Sequence, residues 1–380
     1  MRKVFVVTER RADFSRFKPI LELISNDEDL DYDLVVTGIH LLDSYGKTIN
    51  EIKEGGFKVF KTVEMFNDSV DRDSGAEMTK ALGRVTIGLV DAIEESKPDI
   101  ILSGFDIGAN LAVSIAGAHM NIPVVHIQGG EVSGTIDESI RHAVSKFSHY
   151  HLVSNNDAKN RLIKMGEVPK HIFVVGCPSI DAMLSVNKNT PDEIKNKFDV
   201  DVKKKFFLVL QHPVTTELSD AKRQIKETLN AIKKSGVPSV LIYPNNDAGS
   251  QVIIEEIKNS NIKYFPTLSL KDYVSLLSYA TALIGNSSSG IHETATFKVP
   301  TINIGTRQQG RLRPENLIDV DYEEYEITGA INKILNDKIF QKNILYCENP
   351  YGDGNSSNRI IKILKKINIG NKVIQKRITY

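Results

Sequence analysis

The segment HIQGGEVSGTIDESIRH, His126 to His142, gathers carboxylates, imidazoles, an arginine and glycines into one turn-rich passage between an apolar run and a helix-like one. Carboxylates and imidazoles held close together can move protons near neutral pH. The same residues also spell a helix start: Thr135 followed three residues later by Glu138 is a capping box, and Asp137 in the first turn suits the helix dipole. The two readings are compatible, because a capped helix sets Asp137 and Arg141 one turn apart and facing a common direction. A second passage, GNSSSGIHE from Gly285 to Glu293, follows an apolar strand and precedes a helical pattern. Backbone N–H groups there, with the hydroxyls of Ser287 and Ser288, suit a diphosphate; the plainer reading is a serine-rich helix cap. Arg11 and Ser15 in RRADFSR, and Arg307 after PTINIGT, stand at equivalent strand ends, where a guanidinium fork can hold two phosphate oxygens. His212 in QHPVTTE ends a buried strand and is pinned by Pro213.

These residues need a scaffold, and the apolar rhythm supplies one. The runs KVFVV, DLVVTG, DIILSG and PVVHIQGG alternate with longer segments of helical period, which is the pattern of βαβ units. Their apolarity is continuous, as in parallel strands buried on both faces. The rhythm restarts in FFLVLQHP, PSVLIYPN, TALIGNSSSG and PTINIGT, after the polar stretch SVNKNTPDEIKNKFDVDVKKK. An α/β fold of two Rossmann-like, doubly wound domains follows, residues 1–178 and 200–355, with ligands expected at the carboxyl ends of the strands and between the domains. The segment SSNRIIKILKKINI, 356–369, predicts an amphipathic helix that returns to the first domain, and the basic tail beyond Ile369 is expected to fray.

Composition narrows the function classes. Lys plus Arg and Asp plus Glu both number 48, so no net field draws the chain to nucleic acid or an anionic membrane. Cys177 and Cys347 fit neither a disulfide framework nor a zinc spacing. MRKVFVVTERR does not read as a signal peptide, and the expected compartment is the cytoplasm. No apolar run approaches the roughly 18 residues of a membrane span. His149 and His151 in SHYHLV lack a nearby third ligand and read as packing or subunit-contact residues rather than a metal site. Neither G-x-G-x-x-G after the first strand nor G-x-x-x-x-G-K-[ST] occurs, which demotes nicotinamide and P-loop chemistry.

Taken in order, GGEVSGTIDESIRH, HPVTTE, NDAGS, GNSSSG and GTRQQGR make the chain resemble the hydrolysing UDP-N-acetylglucosamine 2-epimerases, from RRADFSR to YGDGN. The resemblance implies a fold shared with many nucleotide-sugar transferases (GT-B-like), a nucleotide-sugar substrate, no metal or other cofactor, and a homodimer or homotetramer. It also implies a reaction early in sialic-acid-type synthesis. The nucleotide leaves C1 together with the proton at C2, and water then adds to the glycal, giving N-acetylmannosamine and UDP. Arg11, Ser15, His212, Ser287, Ser288, Glu293 and Arg307 match positions that hold the nucleotide, and Asp106 and Asp137 match the acid and base carboxylates. His40 matches a histidine beside the sugar, and His126, Arg141 and Asn246 of NDAGS join the substrate-binding set; His212 also stands among the catalytic candidates.

Two positions depart from the family pattern. Where many relatives read H-G-D-R, this chain has Gly104, Phe105, Asp106 and Ile107, so the partner of Asp106 must come from elsewhere. A family catalytic glutamate is Gln128 here, and an amide cannot give or take a proton as a carboxyl can. Gln128 therefore counts as substrate-binding, and Glu131 becomes the substitute catalytic residue. The departures keep alternatives in view: the same chemistry on a GDP- or UDP-linked diacetamido sugar, a glycosyltransferase of the same shape, or a binding protein that has lost catalysis.

Overall fold

The computed structural model describes residues 1–66, 75–133, 136–214, 216–244 and 249–379. By contacts the chain divides into two units, one of Met1–Val132, Ile136–Ala182 and Gly352–Tyr380, the other of Ser133–Thr135 and Met183–Tyr351. In the first, β1 (Arg2–Thr8), α1 (Arg11–Ser25), β2 (Leu30–Thr37), β3 (Val59–Val63), α2 (Gly75–Ser96), β4 (Ile100–Gly104) and α3 (Gly108–His119) alternate along the chain. They are followed by β5 (Val124–Ile127), α4 (Ile136–Phe147), β6 (Tyr150–Val153), α5 (Asn156–Lys164) and β7 (Ile172–Val174). The strands pair in parallel in the order β3-β2-β1-β4-β5-β6-β7. β4 and β5 are buried along their whole length, which is why their sequences are continuously apolar rather than alternating.

In the second unit β8 (Phe207–Leu210), α6 (Ala221–Ser235), β9 (Ser239–Ile242), β10 (Lys263–Phe265), α7 (Leu270–Tyr279) and β11 (Ala282–Gly285) come first. The helical turn α8 (Ser289–His292), β12 (Thr301–Ile304), β13 (Leu317–Val320) and α9 (Glu324–Asn336) complete the set. Its sheet is again parallel, ordered β10-β9-β8-β11-β12-β13. Strand order reverses between β1 and β4 in one sheet and between β8 and β11 in the other. Such switch points leave a crevice beyond the strands' carboxyl ends, and the sequence puts Thr8 to Arg10 and Asp106 at the first, His212 and Asn286 at the second.

The chain then returns to the first unit as α10 (Ser356–Lys366), whose Ile360, Ile361 and Leu364 are buried with Phe17, Ile20, Leu21 and Ile24 of α1. Burial of three such side chains stabilises this docking by several kcal/mol. Arg2 donates to the carbonyls of Leu364 and Ile367 at 2.7 and 3.0 Å, closing the helix end. The tail beyond Ile369 corrects its expectation of fraying. Lys376 donates to the carbonyls of Ser145, Lys146 and Ser148, and the Thr379 N–H reaches Gly166. Composition marks the tail as polar, but its donors meet the open carbonyls at the end of α4. Among the described residues no helix is long and apolar enough to cross a membrane.

Candidate functional site

In the first unit a charged cluster stands where β1, β4 and β5 end. Asp106 follows Phe105, which has φ of 70°, and Gln128 after β5 has φ of 60°. Neither residue is glycine, so each turn costs of order 1–2 kcal/mol and persists only where its surroundings hold it. For Phe105 the hold is visible. Its ring packs on Phe17 at 5.1 Å between centroids, the Arg16 guanidinium lies 4.9 Å from its centre, and its N–H donates to Ile127 O at 3.0 Å. From β5, His126 reaches the Phe105 carbonyl through Nε2 at 3.1 Å and pairs with the Ser145 hydroxyl through Nδ1 at 3.1 Å. Burial pushes His126 down to about 3, with His151 and Arg141 adding to the shift, so the ring is neutral and acts as a brace.

Asp106 is thereby presented to two arginines. Arg141, on α4 and only 3% exposed, bonds the carboxylate through Nη2 and donates through Nη1 to the Glu131 carbonyl at 3.1 Å. Arg10 places Nη2 3.6 Å from the other carboxylate oxygen. Burial opposes the charge on Arg10, but the carboxylates of Asp106, Asp13, Glu9 and Asp137, in falling order of effect, outweigh it and hold the guanidinium proton more firmly. Glu131 accepts from Gln128 Nε2 at 3.2 Å and from the Ser154 hydroxyl, while Arg16 donates to Gln128 Oε1 at 3.3 Å. Glu9 accepts the Ala109 N–H at 3.0 Å at the start of α3, and burial raises its carboxyl despite the nearby Arg10.

Other candidates lie further from this cluster. His40 is fully buried between Thr8 Oγ1 at 3.1 Å and Thr48 Oγ1 at 2.6 Å. Thr8 in turn donates to Asp13, so the ring's Nε2 carries the proton and burial keeps the imidazole neutral. Arg11 is exposed and paired with Glu51, and Ser15 donates to Ala12 O within its own helix at 2.9 Å. Thr135 of the capping box and Asn246 lie outside the described residues.

In the second unit the side chain of Asn286 joins the ends of β8 and β11. Its Oδ1 accepts the His212 N–H at 2.7 Å and its Nδ2 donates to the His212 carbonyl at 2.9 Å. The Asn286 carbonyl receives Arg307 Nη1 at 3.3 Å and Gln308 Nε2 at 2.8 Å. Gly285 is required beneath this knot, since at φ 134° a Cβ would stand 2.1 Å from the Leu210 carbonyl oxygen. His212 is buried and held well below the ordinary imidazole range, first by desolvation and then by the charge of Arg307. Ser287 accepts the Ser289 N–H at 3.3 Å, Ser288 is the N-cap of α8, and Glu293 accepts the Ser289 hydroxyl at 2.6 Å. Because α8 is a single turn, its dipole gives an anion little, and any diphosphate here depends on hydroxyls, local N–H groups and Arg307.

The profile of the UDP-N-acetylglucosamine 2-epimerase family matches residues 22–365. The chain belongs to that family. A UDP-N,N'-diacetylbacillosamine 2-epimerase (hydrolyzing) of Legionella pneumophila is 36% identical over 380 residues, 99% of each chain. A UDP-N-acetylglucosamine 2-epimerase of Neisseria meningitidis serogroup B is 36% identical across 88% of this chain and 87% of its own. A solved Neisseria meningitidis UDP-GlcNAc 2-epimerase bound to UDP-GlcNAc superposes with a TM-score of 0.83 at 19% identity, covering 96% of this chain and 100% of that one, which shows the shared fold.

For a member of this epimerase family, the structure answers where the partner of Asp106 comes from: Arg141 and Arg10 take the place of the residue that is Ile107 here. It brings Asp106, Glu131, Gln128, Arg141 and His126 together, and His212, Ser287, Ser288, Glu293 and Arg307 at the second sheet's switch point. Arg10, Arg16, Glu9, Asn286 and Gln308 escaped the sequence reading. The signal for the first three was present in TERRADFSR, a polar turn leaving a buried strand at a switch point. Asn286 lies in GNSSSG beside hydroxyls that suit a diphosphate, and its own role, bridging two strand ends, has no local signal.

Proposed function

We propose that the chain is a hydrolysing 2-epimerase of a UDP-linked 2-acetamido sugar, with a 2,4-diacetamido-2,4,6-trideoxy sugar as its preferred substrate. A carboxylate takes the proton from C2, the electron pair of that bond forms the C1–C2 double bond, and the C1–O bond breaks to release UDP. Water then adds its oxygen to C1 while a proton is delivered to the opposite face of C2, giving the free 2-epimeric sugar. Asp106 and Asp137 handle these protons. Glu131 supplies the third carboxyl in place of Gln128, whose amide aims it. Ser287, Ser288 and Arg307 take up the charge that develops on the departing diphosphate, where preorganised donors lower the barrier.

The observation that supports this chemistry is the Asp106 carboxylate bonded to Arg141 beside the Gln128–Glu131 pair. The preferred sugar is supported by likeness to the Legionella pneumophila enzyme along the whole chain. A second reading, UDP-N-acetylglucosamine giving N-acetylmannosamine, is favoured by the equal identity to the Neisseria meningitidis epimerase over a shorter span.

The test is turnover of both UDP-sugars in deuterated water, followed by NMR. Release of UDP with a free sugar deuterated at C2 and inverted there is the expected result, faster for the diacetamido substrate. A product still linked to UDP would overturn hydrolysis, and faster turnover of UDP-N-acetylglucosamine would favour the second reading.

A further inference from the structure

The C-terminal tail ends on the helix that carries the proposed chemistry. The Lys376 ammonium donates to Ser145 O at 2.7 Å, Lys146 O at 3.0 Å and Ser148 O at 2.7 Å. These are carbonyls of the last turn of α4 and the residue after it, where the helix ladder runs out; among the described residues only Ser145 O has a further backbone donor, the Ser148 N–H at 3.2 Å. The same ammonium sits 2.6 Å from Glu167 Oε2, which also accepts from His151 Nε2 at 3.0 Å. Earlier in the same segment His149 Nε2 donates to Ile374 O at 3.3 Å, and the Tyr150 hydroxyl donates to Asn368 O at 2.8 Å.

Ser145, the first carbonyl held, lies one turn after Arg141 and connects to the site by two routes. Its hydroxyl donates to the Arg141 carbonyl at 3.1 Å, and it pairs with His126, which holds the carbonyl of Phe105 next to Asp106. A cation at this end of α4 also complements the helix dipole.

We propose that Lys376 is a positioning residue for the reaction: by capping the end of α4 it fixes the register in which Arg141 meets Asp106. This rests on the reading given under Proposed function. Lys376 meets Ser145, Lys146, Ser148 and Glu167, all within the first unit, whereas Ser287, Ser288 and Arg307, assigned the departing diphosphate, belong to the second. Loss of the cap therefore acts on the chemical step and leaves nucleotide affinity alone.

The experiment compares the full-length wild-type chain with Lys376→Met and Lys376→Arg, measuring kcat per UDP-binding site, KM for the UDP-sugar, and hydrogen exchange of the α4 amides. Lys376→Met is expected to lower kcat about tenfold or more, in keeping with the sensitivity of catalysis to small misplacements, with KM changed less than about threefold. Exchange in α4 rises, and Lys376→Arg restores both readouts to within about threefold. Unchanged kcat with unchanged α4 exchange in a folded Lys376→Met protein overturns the proposal. So does an equal fall in kcat for Lys376→Arg. Should Lys376→Met fail to fold, Glu167→Gln carries the test, because its amide oxygen still accepts from His151 while the ammonium loses its counter-charge. A wild-type chain that turns over no UDP-sugar refutes the functional reading instead, and α4 exchange in the variants still decides whether Lys376 holds that helix.

Discussion

Arg141 holds the Asp106 carboxylate with one arm and the Glu131 backbone carbonyl with the other, across 35 and 10 residues of sequence respectively. One buried guanidinium thus sets the spacing between two of the carboxyl-bearing residues assigned to proton transfer. The two ways of breaking this pair have different consequences. Asp106→Asn keeps an oxygen that accepts from Arg141 but loses the proton carrier, so kcat falls at least ~100-fold with modest destabilisation. Arg141→Met removes the fork and leaves a carboxylate without its main partner, so stability falls by about 3–5 kcal/mol along with activity. Denaturant melts and steady-state rates on the two variants separate these effects. Near-normal turnover of Asp106→Asn would remove it from the mechanism.

The Gln128–Glu131 contact yields a second prediction. The Gln128 amide donates to Glu131 at 3.2 Å while Arg16 donates to its oxygen. Gln128→Glu would face one carboxylate with another, and two such groups cannot both ionise at low cost, so the pair shares a proton to higher pH. The acid limb of the kcat profile is expected to move up by about one unit, and Glu131→Gln to lose about 100-fold in kcat. Rates measured from pH 5 to 9 on the three proteins check both statements. An unshifted Gln128→Glu profile would mean that Glu131 takes no part.

What the sequence disclosed, and what it hid, follows from the range of each interaction. KVFVV, DIILSG, PVVHIQGG, FFLVLQHP and TALIGNSSSG each fall on an observed strand, because a strand buried on both faces shows itself as a local apolar run. β10 and β13, half exposed, lack such a run, so no local apolar signal marks them. The helix expected after GNSSSG shrinks to one turn, since Glu293 breaks into a 3-10 turn at Thr294–Phe297. Asp106 and Arg141 are both legible in the sequence, but neither their pairing nor Arg10 is, because the fold delivers the two arginines from α4 and from β1's end. Lys376 was the least legible of all, for its carbonyl partners lie more than two hundred residues upstream.

Asn286 gives a prediction on the nucleotide side. It is fully buried, and its side chain satisfies both backbone groups of His212. Asn286→Asp changes almost no volume but turns the donor into an oxygen facing the His212 carbonyl. Each buried backbone group left unsatisfied costs about 1–3 kcal/mol. A fall in melting temperature of several degrees is expected, with UDP affinity weakened at least ~10-fold as His212 and Arg307 lose register. Calorimetry with UDP measures the second effect below the melting range. Wild-type affinity in a destabilised Asn286→Asp protein would confine the residue to the fold.

The imidazoles braced inside the first unit make its stability fall in acid. Burial lowers His126 to about 3 and His149 to about 4, and the fold uses both as neutral rings. The unfolded chain binds protons at these groups near 6.5, so their contribution is complete above pH 6.5 and is lost as pH falls through the folded values. Glu167 adds to this at lower pH. Burial alone would raise it, but His151 and Lys376 bring it to about 2, so its contribution disappears between about 4.5 and 2. Between pH 6.5 and 4, each neutral imidazole makes stability decline by about 1.4 kcal/mol per pH unit. His126→Gln keeps a donor for the Phe105 carbonyl and removes one titration, so its stability against pH should slope less steeply by that amount. Parallel slopes for wild type and His126→Gln in urea melts across this range would show that His126 is not the group being protonated. A shallower slope accompanied by retained turnover at pH 5.5 would tie the acid limb of activity to this brace rather than to the carboxylates, because only the variant would still hold Asp106 in place.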